Sequence, residues 1–179
     1  MKIAVWCASE FGDDPIYAEC ARALGEAIAR GGHTLVYGGS NCGLMGAVAD
    51  AVLAAGGEVD GVTVDIPKII AQRHPGLTRC IVMPDMATRK RTMMDMADAF
   101  VALPGGVGTL DEVGDVMALL RSGVSTKRLA LYSVNGFYAH LQEFFETMLS
   151  AKFVVPENFS RVLVSGDLAE IMAFVEGSK

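Results

Sequence analysis

Residues Ala99 to Glu112 read AFVALPGGVGTLDE. The segment opens as a short apolar strand, Phe100 to Leu103, and runs through Pro104 into Gly105, Gly106 and Gly108 before a helical pattern begins at Leu110. A strand-to-helix turn of this kind exposes backbone N–H groups at a helix start, where the helix dipole favours an anion. Glycine lets a ligand approach the backbone closely because no Cβ intervenes. No Lys closes the loop, so it is not the G-x-x-x-x-G-K-[ST] phosphate loop. Gly105, Gly106, Val107, Gly108 and Thr109 are therefore candidates for holding a phosphate; the alternative is a tight turn with no ligand. Glu112 also has two readings. Thr109-x-x-Glu112 fits a capping box, with Thr as the cap and Glu bonding back to it. Alternatively, Glu112 is a reactive carboxylate. Asp111 can complement the helix dipole. Neighbours on a helix point about 100° apart, so only one of the two acids is expected to face a shared crevice.

Working outward, apolar β-branched runs alternate with helical patterns. Strands are expected at Ile3–Cys7, Thr34–Tyr37, Val59–Val64, Arg79–Met83, Phe100–Leu103, Arg128–Tyr132 and Val162–Val164. Helices are expected at Ile16–Arg30, Leu44–Ala55, Thr88–Ala97, Leu110–Arg121, Gly136–Ser150 and Leu168–Val175. The helical period is clearest in the first, where Ala23, Ala27 and Arg30 alternate with Leu24 and Ile28. This order predicts an α/β fold: a doubly wound, mostly parallel Rossmann-like sheet with helices on both faces, forming one domain over residues 1–179. Ligands of such sheets bind beyond the carboxyl ends of strands. Three strand ends can meet there: Cys7-Ala8-Ser9-Glu10, the Tyr37 to Gly46 stretch YGGSNCGLMG with Gly38 and Gly39, and the Pro104 to Glu112 loop. Asp65 follows Gly46 by nearly the dinucleotide-site interval, yet GGSNCGLMG is not G-x-G-x-x-G and follows the second strand, so an NAD site is not expected. Met86-Ala87-Thr88-Arg89-Lys90-Arg91 places three cations at a helix start, where they oppose the dipole. That local conflict suggests anion binding, against the alternative of a solvated charged face.

Composition limits the remaining choices. The chain is 51% hydrophobic and 20% charged, with net charge −6. Acidity argues against a nucleic-acid-binding surface. Every apolar run stops short of the ~18 residues of a membrane span, so the apolar excess is expected to serve a subunit interface, making a homodimer through the central helices. The N-terminus starts directly on a strand with no leader pattern, which predicts a cytoplasmic protein. Cys7, Cys20, Cys42 and Cys80 show no C-x-x-C spacing and are expected as free thiols. His33, His74 and His140 are scattered, so no metal is expected. No G-x-S-x-G nucleophile elbow is present.

Taken together these residues resemble the Lonely Guy family of cytokinin riboside 5′-monophosphate phosphoribohydrolases, an older label for many of which is lysine decarboxylase. The resemblance rests on PGGxGTxxE, here Gly105, Gly106, Gly108, Thr109 and Glu112, preceded by Met86, Arg89 and Lys90. The YGGSNCGLMG segment is similar to the family's second glycine loop and Cys7 to Ser9 to its first; the similarity spans about Lys2 to Phe153. It implies hydrolysis of a nucleoside 5′-monophosphate to free base and ribose 5-phosphate, without a cofactor. Glu112 and Arg89 would be catalytic. Gly105 to Thr109, Lys90, Met86, Ser9, Gly38 and Gly39 would bind phosphate or substrate. The chain departs from the family at Ile70-Ala71-Gln72-Arg73, which lacks the acid of many plant-like members. It departs again at Leu119-Leu120-Arg121-Ser122-Gly123, where the family has Trp-Ala-Gln-Leu-Gly. Both changes touch the base pocket or the dimer-facing wall. A general purine nucleotide nucleosidase and a non-catalytic nucleotide-binding protein are the alternatives.

Overall fold

In the computed structural model, which describes residues 1–177, seven strands form one sheet in the order β4-β3-β2-β1-β5-β6-β7. The strands are β1 (Lys2–Trp6), β2 (Thr34–Tyr37), β3 (Glu58–Val64), β4 (Arg79–Met83), β5 (Ala99–Ala102), β6 (Arg128–Tyr132) and β7 (Val162–Ser165). Every neighbouring pair is parallel. The helices are α1 (Pro15–Arg30), α2 (Gly43–Ala54), the single turn α3 (Pro67–Ile70), α4 (Met86–Met96), α5 (Val107–Arg121), α6 (Ala139–Ser150) and α7 (Leu168–Glu176). Ser178 and Lys179 lie outside the described residues.

Strand alternation sorts the core into two layers. Ile3, Val5 and Cys7 face Leu24 and Ile28 of α1, Val48 and Val52 of α2, and Ile171 of α7. Ala4 and Trp6 face Met93 of α4, Val113 and Val116 of α5, and Phe145 of α6. Asp14 caps α1 by accepting from Ile16 N–H, and Asp85 caps α4 by accepting from Thr88 N–H at 2.8 Å. The cap on α4 offsets the conflict of its three cations with the helix dipole.

Strand order reverses direction between β1 and β5, so the crevice of a doubly wound sheet opens at their carboxyl ends. Ala8 N–H donates to Pro104 O (3.2 Å), tying the two loops together. Tyr138 O–H donates to Leu103 O (2.7 Å) and fixes the end of β5. Two departures from the expected elements matter. The short α3 and the 3-10 turns at Val134–Gly136 and Pro156–Phe159 carry too few residues to show a period. More important, α5 starts at Val107, three residues ahead of the expected Leu110.

Candidate active site

The early start of α5 removes the capping box. Gly106 is the N-cap and no side chain caps the helix. Thr109 is already its third residue, buried beneath Gly105, where an added Cβ would stand 2.6 Å from Thr109 Cβ. Among the described residues, the N–H groups of Val107, Gly108 and Thr109 have no hydrogen-bond acceptor. The four orphan donors of a helix start need some acceptor. Gly106 and Gly108 are exposed, and an added Cβ at either would meet no atom within 4 Å. Protein packing does not require glycine at these two positions.

That helix start forms one wall of a cavity of about 370 Å³. Ser9, Gly38, Met86, Arg89, Lys90, Gly106, Val107, Gly108, Thr109 and Glu112 line it, so the structure brings nearly all the residues singled out in the sequence to one place. Gly39 is one of two exceptions. It is buried, its carbonyl accepts from His74 N–H, and it does not line the cavity. Its neighbour Gly38 lies in the wall because β2 ends there. Gly105, also absent from the lining, shapes the turn through its contact with Thr109.

Arg89 and Glu112 meet at the base of the cavity. Arg89 is 8% exposed; its Nε donates to Val62 O of β3 at 2.8 Å and its Nη1 lies 3.6 Å from Glu112 Oε1. Burial dominates both groups. It lowers the Arg89 value, against the opposing pull of Glu112. It pushes the Glu112 carboxyl up to about 7, with Arg89 holding it back and Asp111 adding to the rise. Such desolvation favours the neutral form until a paired charge compensates. Cys7 lies below, its thiol pushed up by burial and then by the Glu112 carboxylate.

Both acids border the cavity, against the expectation that only one would, but their side chains diverge. Glu112 points inward, with its side chain 12% exposed, while Asp111 is 55% exposed and pairs with Lys90. Lys90 Nζ is 2.7 Å from both Asp111 and Asp115, and these hydrogen bonds raise its value. Lys90 therefore lines the cavity already clasped by two carboxylates. Arg91 pairs with Asp95 at 2.9 Å on an exposed face, so the solvated-face alternative describes this one cation of the cluster.

Sequence reasoning passed over three contributors. Trp6, the chain's one tryptophan, lines the cavity, stacks on Phe100 with centroids 5.2 Å apart, and leaves its indole N–H without a partner. Met45 lines the cavity from α2. Val62 acts only through its carbonyl, which no sequence pattern marks.

Comparison with known proteins gives the family. A family model described as "Possible lysine decarboxylase" matches residues 45–175. A cytokinin riboside 5′-monophosphate phosphoribohydrolase of Rhodococcoides fascians is 38% identical over 97% of this chain and 88% of its own length. The Arabidopsis thaliana enzyme of the same name, LOG7, is 37% identical over 94% of this chain and 77% of its own. The chain belongs to the Lonely Guy family. Among solved structures, the molybdenum cofactor carrier protein of Chlamydomonas reinhardtii superposes with a TM-score of 0.76 at 22% identity, covering 99% of this chain and 96% of that one. The molybdenum cofactor binding protein of Rippkaea orientalis gives 0.74 at 19% identity, covering 98% and 94%. At that identity the Lonely Guy chain shares their fold. Its two departures from the family pattern, at Ile70 to Arg73 and Leu119 to Gly123, lie outside the lining of its own cavity.

Proposed function

We propose that this Lonely Guy family member hydrolyses the N-glycosidic bond of a cytokinin riboside 5′-monophosphate, giving the free base and ribose 5-phosphate. The observation that carries the reading is a buried Arg–Glu pair beside an uncapped helix start lined by two open glycines. The names of the relatives give the substrate class. The 5′-phosphate sits on the free N–H groups of Val107, Gly108 and Thr109, which places the ribose over Arg89 and Glu112. Holding the remote phosphate converts binding energy into alignment at C1′. Departure of the base builds oxocarbenium character on the ribose, which the Glu112 carboxylate stabilises while activating water. A carboxyl poised near 7 suits a base working at neutral pH. Arg89 binds the substrate and polarises the reacting groups. The apolar walls, Trp6, Met45, Met86 and Val107, suit a purine base with an apolar substituent.

The older label implies a Schiff-base lysine, whose amine must be neutral to attack. The lysine in this cavity is Lys90, whose two aspartates stabilise its protonated form. That pairing supports hydrolysis over amino-acid decarboxylation.

The chain acts as a cytoplasmic homodimer in this reading. An apolar groove of about 350 Å³ between α5 and α6, lined by Leu110, Met117, Phe144, Phe145, Met148 and Phe159, suits a second copy. Phe153 and Val155 nearby are exposed, as Leu110 and Phe144 are. Among the described residues no helix is long and apolar enough to cross a membrane. Light scattering at micromolar concentration checks the dimer, and a monomer alone rules it out.

The reaction is tested by incubating the protein with isopentenyladenosine monophosphate and with AMP and separating the products by chromatography. Free isopentenyladenine is expected, with less adenine from AMP. Equal rates identify a general purine nucleotide nucleosidase. Quenching of Trp6 fluorescence by both nucleotides with no base released identifies a non-catalytic binder.

A further inference from the structure

The guanidinium of Arg89 is held on three sides. Nε is fixed by the backbone carbonyl of Val62, and Nη1 faces Glu112. Nη2 occupies the space where a side chain on residue 38 would begin: an added Cβ at Gly38 would overlap it and stand 3.4 Å from Arg89 Cζ. The same Cβ would meet Met45 Cε. The two contacts differ in kind. Met45 is a flexible chain that can swing away. The guanidinium is a rigid planar fork, so moving Nη2 turns the whole plane and pulls Nε off Val62 or Nη1 off Glu112.

We propose that Gly38 is a positioning residue for the reaction: the side chain it lacks is the slot that holds the Arg89 guanidinium against Glu112. The inference rests on the roles proposed above for Arg89 and Glu112. It reassigns Gly38 from substrate contact to the seat of a catalytic cation, and it explains why this glycine ends β2 where the backbone conformation does not require one.

The test is Gly38→Ala in the unaltered chain and in an Arg89→Ala background, with three readouts. In the unaltered chain, base release should fall about 100-fold, the scale of a displacement of about 1 Å at a reacting centre. The Glu112 carboxyl, followed by carbon NMR without substrate, should titrate above its starting value of about 7, because the cation that restrains it has moved. The other charges facing Glu112, Lys90 of α4 and Asp111 and Asp115 of α5, and the Cys7 thiol just after β1, are the same in both chains. In the Arg89→Ala background the added methyl has no guanidinium to displace. It should then change neither the melting temperature nor the Glu112 titration. An alanine that fails to fold alone but folds with Arg89→Ala supports the proposal equally. Equal destabilisation in both backgrounds, failure to fold in both, or an unmoved Glu112 titration would overturn it. Melting and NMR need no substrate, so a chain that releases no base yet shows the coupling refutes the proposed reaction and leaves the positioning role intact.

Discussion

The loops after β2 and β5 are both glycine-rich and both lead into a helix, yet their glycines answer to different masters. In the loop after β2 the protein itself fills the vacant space. Gly43 has φ +53 and lies against the Ser9 and Glu10 backbone, and a Cβ on Gly46 would overlap Asn41 O and lie 2.7 Å from Asn41 C. The N–H groups of Leu44 and Met45, at the start of α2, donate to Glu10 O and Ala8 O, both at 3.3 Å. That helix start is spent on the fold. In the loop after β5, Gly106 and Gly108 have open space beside them and, among the described residues, the first N–H groups of α5 have no internal acceptor. Glycine content alone does not separate a scaffold from a ligand cradle; what already occupies the donors and the missing Cβ does.

Substitutions at the chemistry should give the largest effect. Glu112→Gln keeps the shape of the side chain and one acceptor oxygen but loses the negative charge and the base. Base release should fall about 100-fold or more, with melting within a few degrees of the unaltered chain. Arg89→Ala should also lose activity while remaining folded. Chromatography of released base and a thermal melt check both, and normal turnover in either removes that residue from the mechanism.

The loop comparison can be broken directly. Gly46→Ala sets a methyl against backbone that has no rotamer to relax, and overpacking of this kind costs about 1–3 kcal/mol. Denaturant unfolding should show that loss while KM for the nucleotide holds in the folded fraction. Gly106→Ala and Gly108→Ala should behave in the opposite way, unfolding like the unaltered chain but raising KM about tenfold by blocking backbone approach to the phosphate. If Gly106→Ala destabilises and leaves KM alone, both loops are scaffold and the phosphate lies elsewhere.

The pH profile sharpens the picture of the buried pair. If the Glu112 carboxylate is the active form, kcat/KM should fall about tenfold per unit on the acid side of its value near 7. Stability should run the other way. Between the ordinary 4.5 and about 7 the native state holds a proton that the unfolded chain releases. The Glu112 contribution to stability is therefore fully present below 4.5, is lost as pH rises and levels off beyond about 7. Urea melts across that window should show the slope, and Glu112→Gln should flatten it.

These tests also mark what sequence could reveal. The seven strands and six long helices were legible because a parallel sheet buried on both faces reads as short apolar runs between helical periods. The uncapped helix start that lines the cavity was legible as PGGVGT after such a run. The start of α5 was misplaced because glycines at 106 and 108 carry no helical pattern, which made Thr109 look like a cap. The seat of Arg89 was hidden for a different reason. It joins residues 38, 62, 89 and 112 from three elements and the loop after β2, one through a carbonyl and one through an absent side chain. The clasp on Lys90 was half visible, since Asp111 and Asp115 stand four apart on one helix face. Their partner on α4 appears only when the chain is folded.

The smallest expected effect belongs to Asp111→Asn, and it tests whether neighbouring acids in the cradle have separate duties. Asp111 borders the cavity, as Glu112 does, but its side chain is more than half exposed and its bond is to Lys90. An exposed ion pair contributes about 0–1 kcal/mol. Asn retains an oxygen that accepts from Lys90, and Asp115 remains 2.7 Å away to hold the ammonium. The melt should therefore move by no more than a few degrees and the rate by less than about threefold, because no charge that touches the reacting centre is lost. The buried Arg89–Glu112 pair should keep its geometry, and the acid limb of the pH profile should move slightly below 7, because Asp111 adds to the rise of the Glu112 carboxyl. A 100-fold loss in Asp111→Asn beside a mild Glu112→Gln would exchange the roles of the two acids, making the exposed carboxylate the reactive one and leaving Glu112 as the counter-charge that keeps Arg89 buried.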